Sequence, residues 1–209
     1  MDALEPSPDR VSEPEYDLSE RERGILNALT EDGSATLAFD GLKRRLGVHP
    51  ETLSRALDRL EEQGIIEKDP EGYRATAKVQ GLLPLRPLGT LEPPVPLVQT
   101  LLPHDLAAQS IISHLKGRWF GTLRWLGYAE NDEGLTLKWV TEDGGIQIDA
   151  KFTAGALSIE AKLGAGKAVD EAIRAAHHLV GYVARLYAGP PRPKRIVAFT
   201  LFDPYQTLN

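Results

Sequence analysis

Apolar residues recur at helical spacing in the first third of the chain and at alternating positions in much of the remainder. Between residues 18 and 64 they return every three or four positions, the period of a helix with one buried face. Between residues 119 and 163 they return at every second position, the period of a half-buried strand. These patterns predict an α+β fold, and 209 residues suffice for two small domains or one large one.

The helical part predicts three short helices followed by a hairpin. Ser19 and Glu22 match the capping box S-x-x-E at the start of the first helix. The second helix is predicted over FDGLKRRL, and the third begins near Pro50 and ends before Gly64. Two short strands then flank the turn DPEG. Helix, short strand, helix, tight turn, helix and hairpin is the order of a winged helix-turn-helix, which we assign to residues 18–78.

The segment from Leu42 to Ile66 resembles part of a known family of domains. It contains GVHPETLSRALDRLEEQGII and follows the pattern L-x-x-x-L-G-V-x-x-x-T-[LV]-S-R-x-L-x-x-L-E-x-x-G-[IL]-I. This is similar to the second half of the winged helix-turn-helix in prokaryotic transcription regulators of the MarR-like, ArsR-like and Lrp-like kind. The resemblance implies a DNA-binding domain of roughly 60 of the 209 residues. It does not extend to residues 81–209.

The third helix is the candidate for reading DNA, because a helix fits the major groove of B-DNA. Thr52, Arg55 and Arg59 fall on one stripe, with Ser54 beside them. Arg55 suits a bidentate contact with guanine, and Thr52 suits a thymine methyl or a phosphate. Phosphate contacts are predicted for the basic residues of the second helix and the wing, Lys43, Arg44, Arg45, Lys68 and Arg74. Two alternatives are a solvated helix face, since Glu51 and Arg55 are spaced for an ion pair, and a winged helix used for protein contact.

Two segments around this domain have unusual compositions. Residues 1–17 contain six acidic residues, three prolines and one Arg, and we expect them to be disordered. Residues 79–103 contain six Pro and eight Leu among 25 residues. We predict a semi-rigid connector there, parts of which lie against a domain or a second subunit.

The C-terminal part, residues 104–209, predicts a helix at 104–116 and then a four-stranded antiparallel meander with an apolar and a polar face. The helix at 167–188 is expected to cover the apolar face, and a last strand is predicted at 195–202. The order is therefore αββββαβ. The apolar face includes Trp119, Leu123, Trp125, Leu137, Trp139, Ile148 and Ile159. The polar face holds Thr122, Arg124, Thr136, Lys138, Gln147, Asp149, Lys151, Ser158, Glu160 and Lys162. The inward stripe of the long helix is predicted as Val169, Ile173, Ala176, Val180, Ala184 and Tyr187.

Other motifs favour structural roles. Aromatic and basic residues alternate in RWFGTLRW, a composition typical of single-strand nucleic-acid binding, but period two places these Trp residues in the core. The segment GAGK lacks the Ser or Thr of a phosphate-binding loop, because Ala168 follows Lys167. His177 and His178 point about 100° apart on a helix, so a shared metal is disfavoured. The sequence predicts no cofactor, no metal site and no enzyme.

Composition narrows the functional class further. The net charge of −6 excludes a blanket attraction to nucleic acid but allows a local basic patch. No cysteine is present, which fits a reducing cytoplasm, and no apolar run reaches the roughly 20 residues of a membrane span. We therefore predict a cytoplasmic transcription regulator that binds duplex DNA as a homodimer. Its C-terminal domain would sense a small-molecule effector or bind a protein partner. The alternative is an adaptor whose two domains bind proteins rather than DNA.

Overall fold

The computed structural model describes residues 17–31, 34–82, 93–102, 108–153 and 155–188, which form an α+β protein as predicted. The predicted tail, apart from its last residue, and the predicted last strand lie outside the described residues. None of the helices in the described segments is both long enough and apolar enough to cross a membrane.

The N-terminal elements follow the winged helix-turn-helix order. They are α1 (Glu20–Thr30), β1 (Ser34–Leu37), α2 (Phe39–Leu46), α3 (Pro50–Glu62), β2 (Ile66–Asp69) and β3 (Gly72–Ala75), followed by a 3₁₀ turn at Ala77–Leu82. The capping box is confirmed, because the Glu22 carboxylate accepts from Ser19 N at 2.7 Å and Ser19 Oγ accepts from Glu22 N at 3.3 Å. Gly47 ends α2 in the left-handed region at φ 61°, where a side chain would be strained.

The C-terminal elements include the predicted meander. They are β4 (Val95–Leu101), α4 (Ala108–Leu115), β5 (Leu123–Asn131), β6 (Gly134–Thr141), β7 (Ile146–Thr153), β8 (Ala156–Leu163) and α5 (Val169–Ala188). β4 is a strand within the stretch predicted as a connector, and it lies against the C-terminal domain, as predicted for parts of that stretch. It pairs antiparallel with β8 at the border of the sheet, with a register irregularity between Pro96 and Val98. An edge position tolerates proline because its missing N–H leaves no ladder bond unmade.

The eight strands of the described residues form one sheet in the order β2-β3-β1-β5-β6-β7-β8-β4. β1 joins its two parts: Leu37 lies opposite Tyr73 of β3 on one side and opposite Gly127 of β5 on the other. The wing and the meander are therefore continuous through backbone hydrogen bonds.

Two hydrophobic cores lie on opposite faces of this sheet. One is built around Trp139 and Ile148 and is covered by α4 and α5. The other core contains the apolar stripes of α1 to α3, and it also includes Leu126 of β5 and Val140 of β6. A Cβ on Gly41 of α2 would lie 2.6 Å from Leu126 Cα, so helix and strand touch at the backbone. The N-terminal core is thus completed by C-terminal strands.

Four residues of the predicted polar face of the meander are buried. Gln147, Lys138, Asp149 and Lys162 are all buried, with exposures between 0% and 6%. The cause is the winged helix, which packs over this face. Glu31, at the end of α1, reaches Lys162 Nζ at 3.2 Å.

Two further expectations about buried aromatic and apolar residues are wrong. Val169 and Ile173 of α5 are 41% and 56% exposed, whereas the buried stripe is Ala172, Ala175, Ala176, Leu179 and Val183. Both stripes fit the helical period, and the alanines allow α5 to approach the sheet closely. Trp119 is 63% exposed, because β5 begins only at Leu123 and residues 118–122 form a loop before it.

Candidate nucleic-acid interface

α3 presents one side to the core and the other to solvent. His49 caps it in an extended conformation and Pro50 occupies its first turn, where the absent N–H leaves no bond unmade. The buried side carries Leu53, Leu57 and Leu60. The exposed side, called here the α3 outer face, carries the four predicted contact residues Thr52, Ser54, Arg55 and Arg59.

Arg55 is the most exposed of these contact residues. Its side chain is 78% exposed, and its Nη2 lies 2.6 Å from Glu51 Oε1, itself 67% exposed. Such exposed i,i+4 pairs contribute only about 0.3–0.5 kcal/mol. A phosphate or a base edge can therefore replace Glu51 at little cost.

Arg59 is held in place by α1. Its Nε lies 3.3 Å from Glu22 Oε1, and its Nη2 donates to the Asp17 carbonyl oxygen at 3.2 Å. The Glu22 carboxylate is buried and also accepts from Ser19 in the capping box. The Arg59 side chain remains 53% exposed. Residues at the start of α1 thus orient the guanidinium of Arg59, which still faces solvent.

Thr52 and Ser54 are half-buried at the edges of the same face. Thr52 lines a groove of about 330 Å³ between α1, α2 and α3. Ser54 Oγ lies 3.5 Å from Asp58 Oδ2, a long contact that leaves the hydroxyl available. Arg21 of α1 lines the groove as well and was missed at the sequence level. Arg21 becomes a candidate only through its position beside α3, and no local sequence pattern reveals that position.

The three basic residues of α2 differ in their surroundings. Lys43 Nζ lies 2.8 Å from Asp40, and this hydrogen bond holds the pKa of Asp40 below its usual value. Arg44 donates to the Asp40 carbonyl oxygen at 3.1 Å. Arg45 is drawn inward, with a side chain only 14% exposed and its Nη2 2.6 Å from Glu31.

The wing carries the remaining two predicted residues. Lys68 is exposed, with its Nζ 5.6 Å from the centre of the Tyr73 ring. Arg74 is 48% exposed and pairs with Glu67 on the neighbouring strand at 2.6 Å. Both side chains lie on the hairpin surface.

The tip of the wing contacts the C-terminal part of the chain, which sequence reasoning did not predict. Glu71 lies 2.6 Å from Lys116 Nζ and accepts from the Tyr128 hydroxyl at 2.7 Å. The ammonium of Lys116 also lies 4.1 Å from the centre of the Tyr128 ring. These contacts join positions 45 and 57 residues apart, so no local pattern signals them.

A second cavity, of about 380 Å³, lies between the β6–β7 turn and the start of α5. Lys167 lies at its border, 2.7 Å from Asp143. Hydrogen bonds from Lys167, Thr141 and Gly145 hold the pKa of Asp143 well below its usual range. The cavity is lined by charged and hydroxyl groups together with Ile146 and Ala175, and it is open to solvent. No group of three or more His, Asp or Glu side chains suited to a metal ion occurs in the described part of the chain.

Comparison with known proteins identifies the N-terminal segment. Residues 16–75 match the model of the MarR family, and the match runs from just before α1 to the end of β3. This confirms the winged helix-turn-helix and its resemblance to MarR-type regulator domains. The MarR family is a family of transcription regulators rather than enzymes. Neither a curated protein nor a solved structure matches the chain.

Proposed function

We propose that this chain acts in the prokaryotic cytoplasm as a transcription regulator that reads duplex DNA through the α3 outer face. The observation that supports this most directly is the exposure of Arg55 and Arg59 on the third helix of a MarR-type domain. The remaining proposed contacts are Lys43, Arg44, Arg45, Thr52, Ser54, Lys68 and Arg74.

The contributions of these residues should differ. Arg55 would read a base edge or bind a phosphate, while Arg59 would bind a phosphate from an orientation set by Glu22. Arg45 would have to leave Glu31 to reach DNA, so its substitution should change the salt dependence of binding least.

We further propose that the chain binds DNA as a homodimer and that residues 104–209 form the effector or dimerisation domain. A single small domain makes few phosphate contacts and binds weakly, so two copies are needed for useful affinity. The exposed Val169 and Ile173 on α5 support a subunit contact there. The cavity beside Lys167 is the proposed place for a small effector. The Ile173→Glu variant tests the subunit contact, since sedimentation should show a shift from dimer to monomer.

The decisive experiment is a fluorescence-anisotropy titration of duplex DNA at about 50 mM and 200 mM salt. We expect the wild type to bind, with affinity falling steeply as salt rises. The Arg55→Ala/Arg59→Ala variant should bind more weakly, and the slope of log K against log salt should fall by about 1.8 for two lost phosphate contacts.

Arg118→Ala provides a charge control outside the winged helix. Arg118 is exposed, and the described residues give it no carboxylate partner. This variant should bind like the wild type. Absence of duplex binding at low salt would refute the proposal and would favour a winged helix that contacts protein, as in an adaptor.

A further inference from the structure

The β6–β7 turn, residues 142–145, touches the winged helix at the end of α2. A Cβ on Gly144 would overlap the carbonyl oxygen of Arg44 and would lie 3.1 Å from the carbonyl carbon of the same residue. Gly144 itself has φ 74°, a conformation that favours glycine. The backbones of the turn and of α2 therefore meet with no side chain between them.

This contact falls at the connection between α2 and α3. The Arg44 carbonyl oxygen also accepts from Gly47 N at 3.3 Å, in the left-handed cap that ends α2. Val48 N donates to the Lys43 carbonyl oxygen, also at 3.3 Å, and α3 begins two residues later at Pro50. A shift of the β6–β7 turn would therefore displace the hydrogen-bonded connection that sets the direction of α3.

The same turn is fastened to the segment that leads into α5. The Asp143 carboxylate accepts from Thr141 Oγ1 and, at 3.1 Å, from Gly145 N, and its second oxygen lies 2.7 Å from Lys167 Nζ. The Gly145 carbonyl oxygen accepts from Gly164 N at 2.8 Å. A Cβ on Gly145 would lie 2.5 Å from Lys167 Cε, so the lysine side chain packs directly on the turn.

Both members of the pair between Lys167 and Asp143 are charged at neutral pH. The hydrogen bond from Lys167 contributes most to holding the pKa of Asp143 well below its usual range, and the same bond raises the pKa of Lys167. Lys167 also borders the open cavity of about 380 Å³, where a bound group can reach its ammonium. A competing ligand in that cavity, rather than a proton, is therefore what would release Lys167 from Asp143.

We propose that the β6–β7 turn is a regulatory contact through which the start of α5 controls the position of α2 and α3. The pair of Lys167 with Asp143 holds the turn against Arg44, and α3 then stands in the position that reads DNA. A ligand that takes Lys167 loosens the turn and weakens duplex binding. This regulation rests on the proposed reading of duplex DNA, to which it adds a route from the C-terminal cavity to the reading helix.

Two substitutions disturb the contact from opposite ends. Lys167→Met removes the ammonium from Asp143 and reproduces the released state, whereas Gly144→Ala pushes the turn away from Arg44. Hydrogen–deuterium exchange of the full chain, measured without DNA, reports local opening. In both variants it should become faster in peptides that cover α2 and its connection to α3, while α1 and β8 keep the wild-type rates.

Each substitution has a matched control. Lys151→Met also removes a paired lysine, since Lys151 Nζ lies 2.7 Å from Glu160, but it leaves the β6–β7 turn intact. Gly155→Ala also places a side chain at positive φ, here 79°. Among the described residues, however, no atom beyond its chain neighbours would lie within 4 Å of that Cβ. In both controls α2 should exchange at the wild-type rate.

Duplex affinity tests the regulatory role, by fluorescence anisotropy at about 50 mM salt. Lys167→Met and Gly144→Ala should each bind at least about fivefold more weakly than the wild type, the lower end of typical coupling between two sites. Lys151→Met and Gly155→Ala should bind like the wild type.

Unchanged exchange of α2 in Lys167→Met would overturn the proposal. So would equal acceleration in the two controls or throughout the chain, because general destabilisation would then account for it. Faster exchange of α2 with unchanged duplex affinity would also overturn it, since the contact would then be structural only. If the wild type fails to bind duplex DNA, the proposed function itself is refuted, and the exchange measured without DNA still decides whether the turn is coupled to α2.

Discussion

At the residue scale, a single carboxylate connects the wing to the C-terminal strands. The hydrogen bond from Lys116 and then that from Tyr128 hold the pKa of Glu71 below its usual value of 4.5. Burial, followed by the bond to Glu71, raises the pKa of Tyr128. The fold therefore stabilises the ionised form of Glu71 and the neutral form of Tyr128.

This contact predicts a pH-dependent contribution to stability. A carboxyl whose pKa is lower in the folded than in the unfolded chain stabilises the fold above its unfolded pKa, and the contribution is lost as pH falls through the folded value. We expect Glu71→Gln to lower the free energy of unfolding at neutral pH by less than about 1 kcal/mol, because the carboxylate is half exposed. The difference from the wild type should shrink as pH falls below 4.5.

Urea denaturation across the acid range checks this expectation. Glu67→Gln is the control for loss of one negative charge from the wing, since Glu67 pairs with Arg74 inside the hairpin. An equal destabilisation by Glu71→Gln at neutral pH and in strong acid would contradict the proposed linkage.

At the scale of elements, the packing of α2 on β5 depends on Gly41. A Cβ there would lie 2.6 Å from Leu126 Cα and 2.8 Å from Leu126 O, distances that real Cβ atoms do not adopt. Gly41→Ala should therefore lower the free energy of unfolding by about 1–3 kcal/mol, although alanine favours helix formation. Gly24→Ala in α1 is the matched control, because its Cβ would lie 3.6 Å from Leu46 Cδ2. It should stabilise by up to about 1 kcal/mol in denaturant titrations, and stabilisation by both variants would refute the close contact.

The orientation of α5 gives a second prediction at this scale. Leu179 is fully buried, whereas Ile173 is 56% exposed. Leu179→Ala should lower the free energy of unfolding by about 2–5 kcal/mol through loss of core contacts and a residual cavity. Ile173→Ala should change it by less than about 0.5 kcal/mol at protein concentrations where the chain is monomeric. Equal effects in urea titrations would contradict the observed helix orientation.

The existence of the helices could be predicted, but the buried face of α5 could not. A capping box and an apolar stripe specified α1 from local sequence alone. In α5 two apolar stripes both satisfy the helical period, and only contact with the sheet selects the one containing Leu179. The prediction that Trp119 is buried was wrong for a related reason. The alternating apolar pattern extends back to residue 119, whereas β5 begins only at Leu123.

At the scale of the whole molecule, no feature of the sequence predicts that the strands of both halves form a single sheet. The pairing of β1 with β5 joins residues about 90 positions apart, and four-residue β1 carries no mark of a second partner. The candidate nucleic-acid interface could likewise be predicted only where local sequence determines it. The outward stripe of α3 followed from periodicity, whereas the inward pairing of Arg45 with Glu31 depends on how α2 packs against the end of α1. The burial of the polar face of the meander depends in the same way on tertiary packing, here of the winged helix on the meander.

Charged residues are buried between the winged helix and the meander, and they lead to a prediction about whether the two halves of the chain unfold together. Lys138 Nζ and Lys162 Nζ each lie 3.3 Å from Asp149 Oδ2, and Lys162 also reaches Glu31 of the winged helix. Asp149→Asn removes a carboxylate from among buried cations and should lower the free energy of unfolding by about 3–5 kcal/mol. Lys151→Gln is the control on β7, the strand that carries Asp149, because the pair of Lys151 with Glu160 is partly exposed and should contribute less than about 1 kcal/mol.

Two probes test whether this loss reaches the entire chain. All three tryptophans lie in the C-terminal part, so their fluorescence reports the meander, while far-UV circular dichroism includes the three N-terminal helices. A shared sheet and a shared core predict coincident transitions in the wild type and a common shift in Asp149→Asn. Should the helices keep their own midpoint while the fluorescence transition moves, the winged helix would be an independent folding unit. The buried charges would then serve the meander alone.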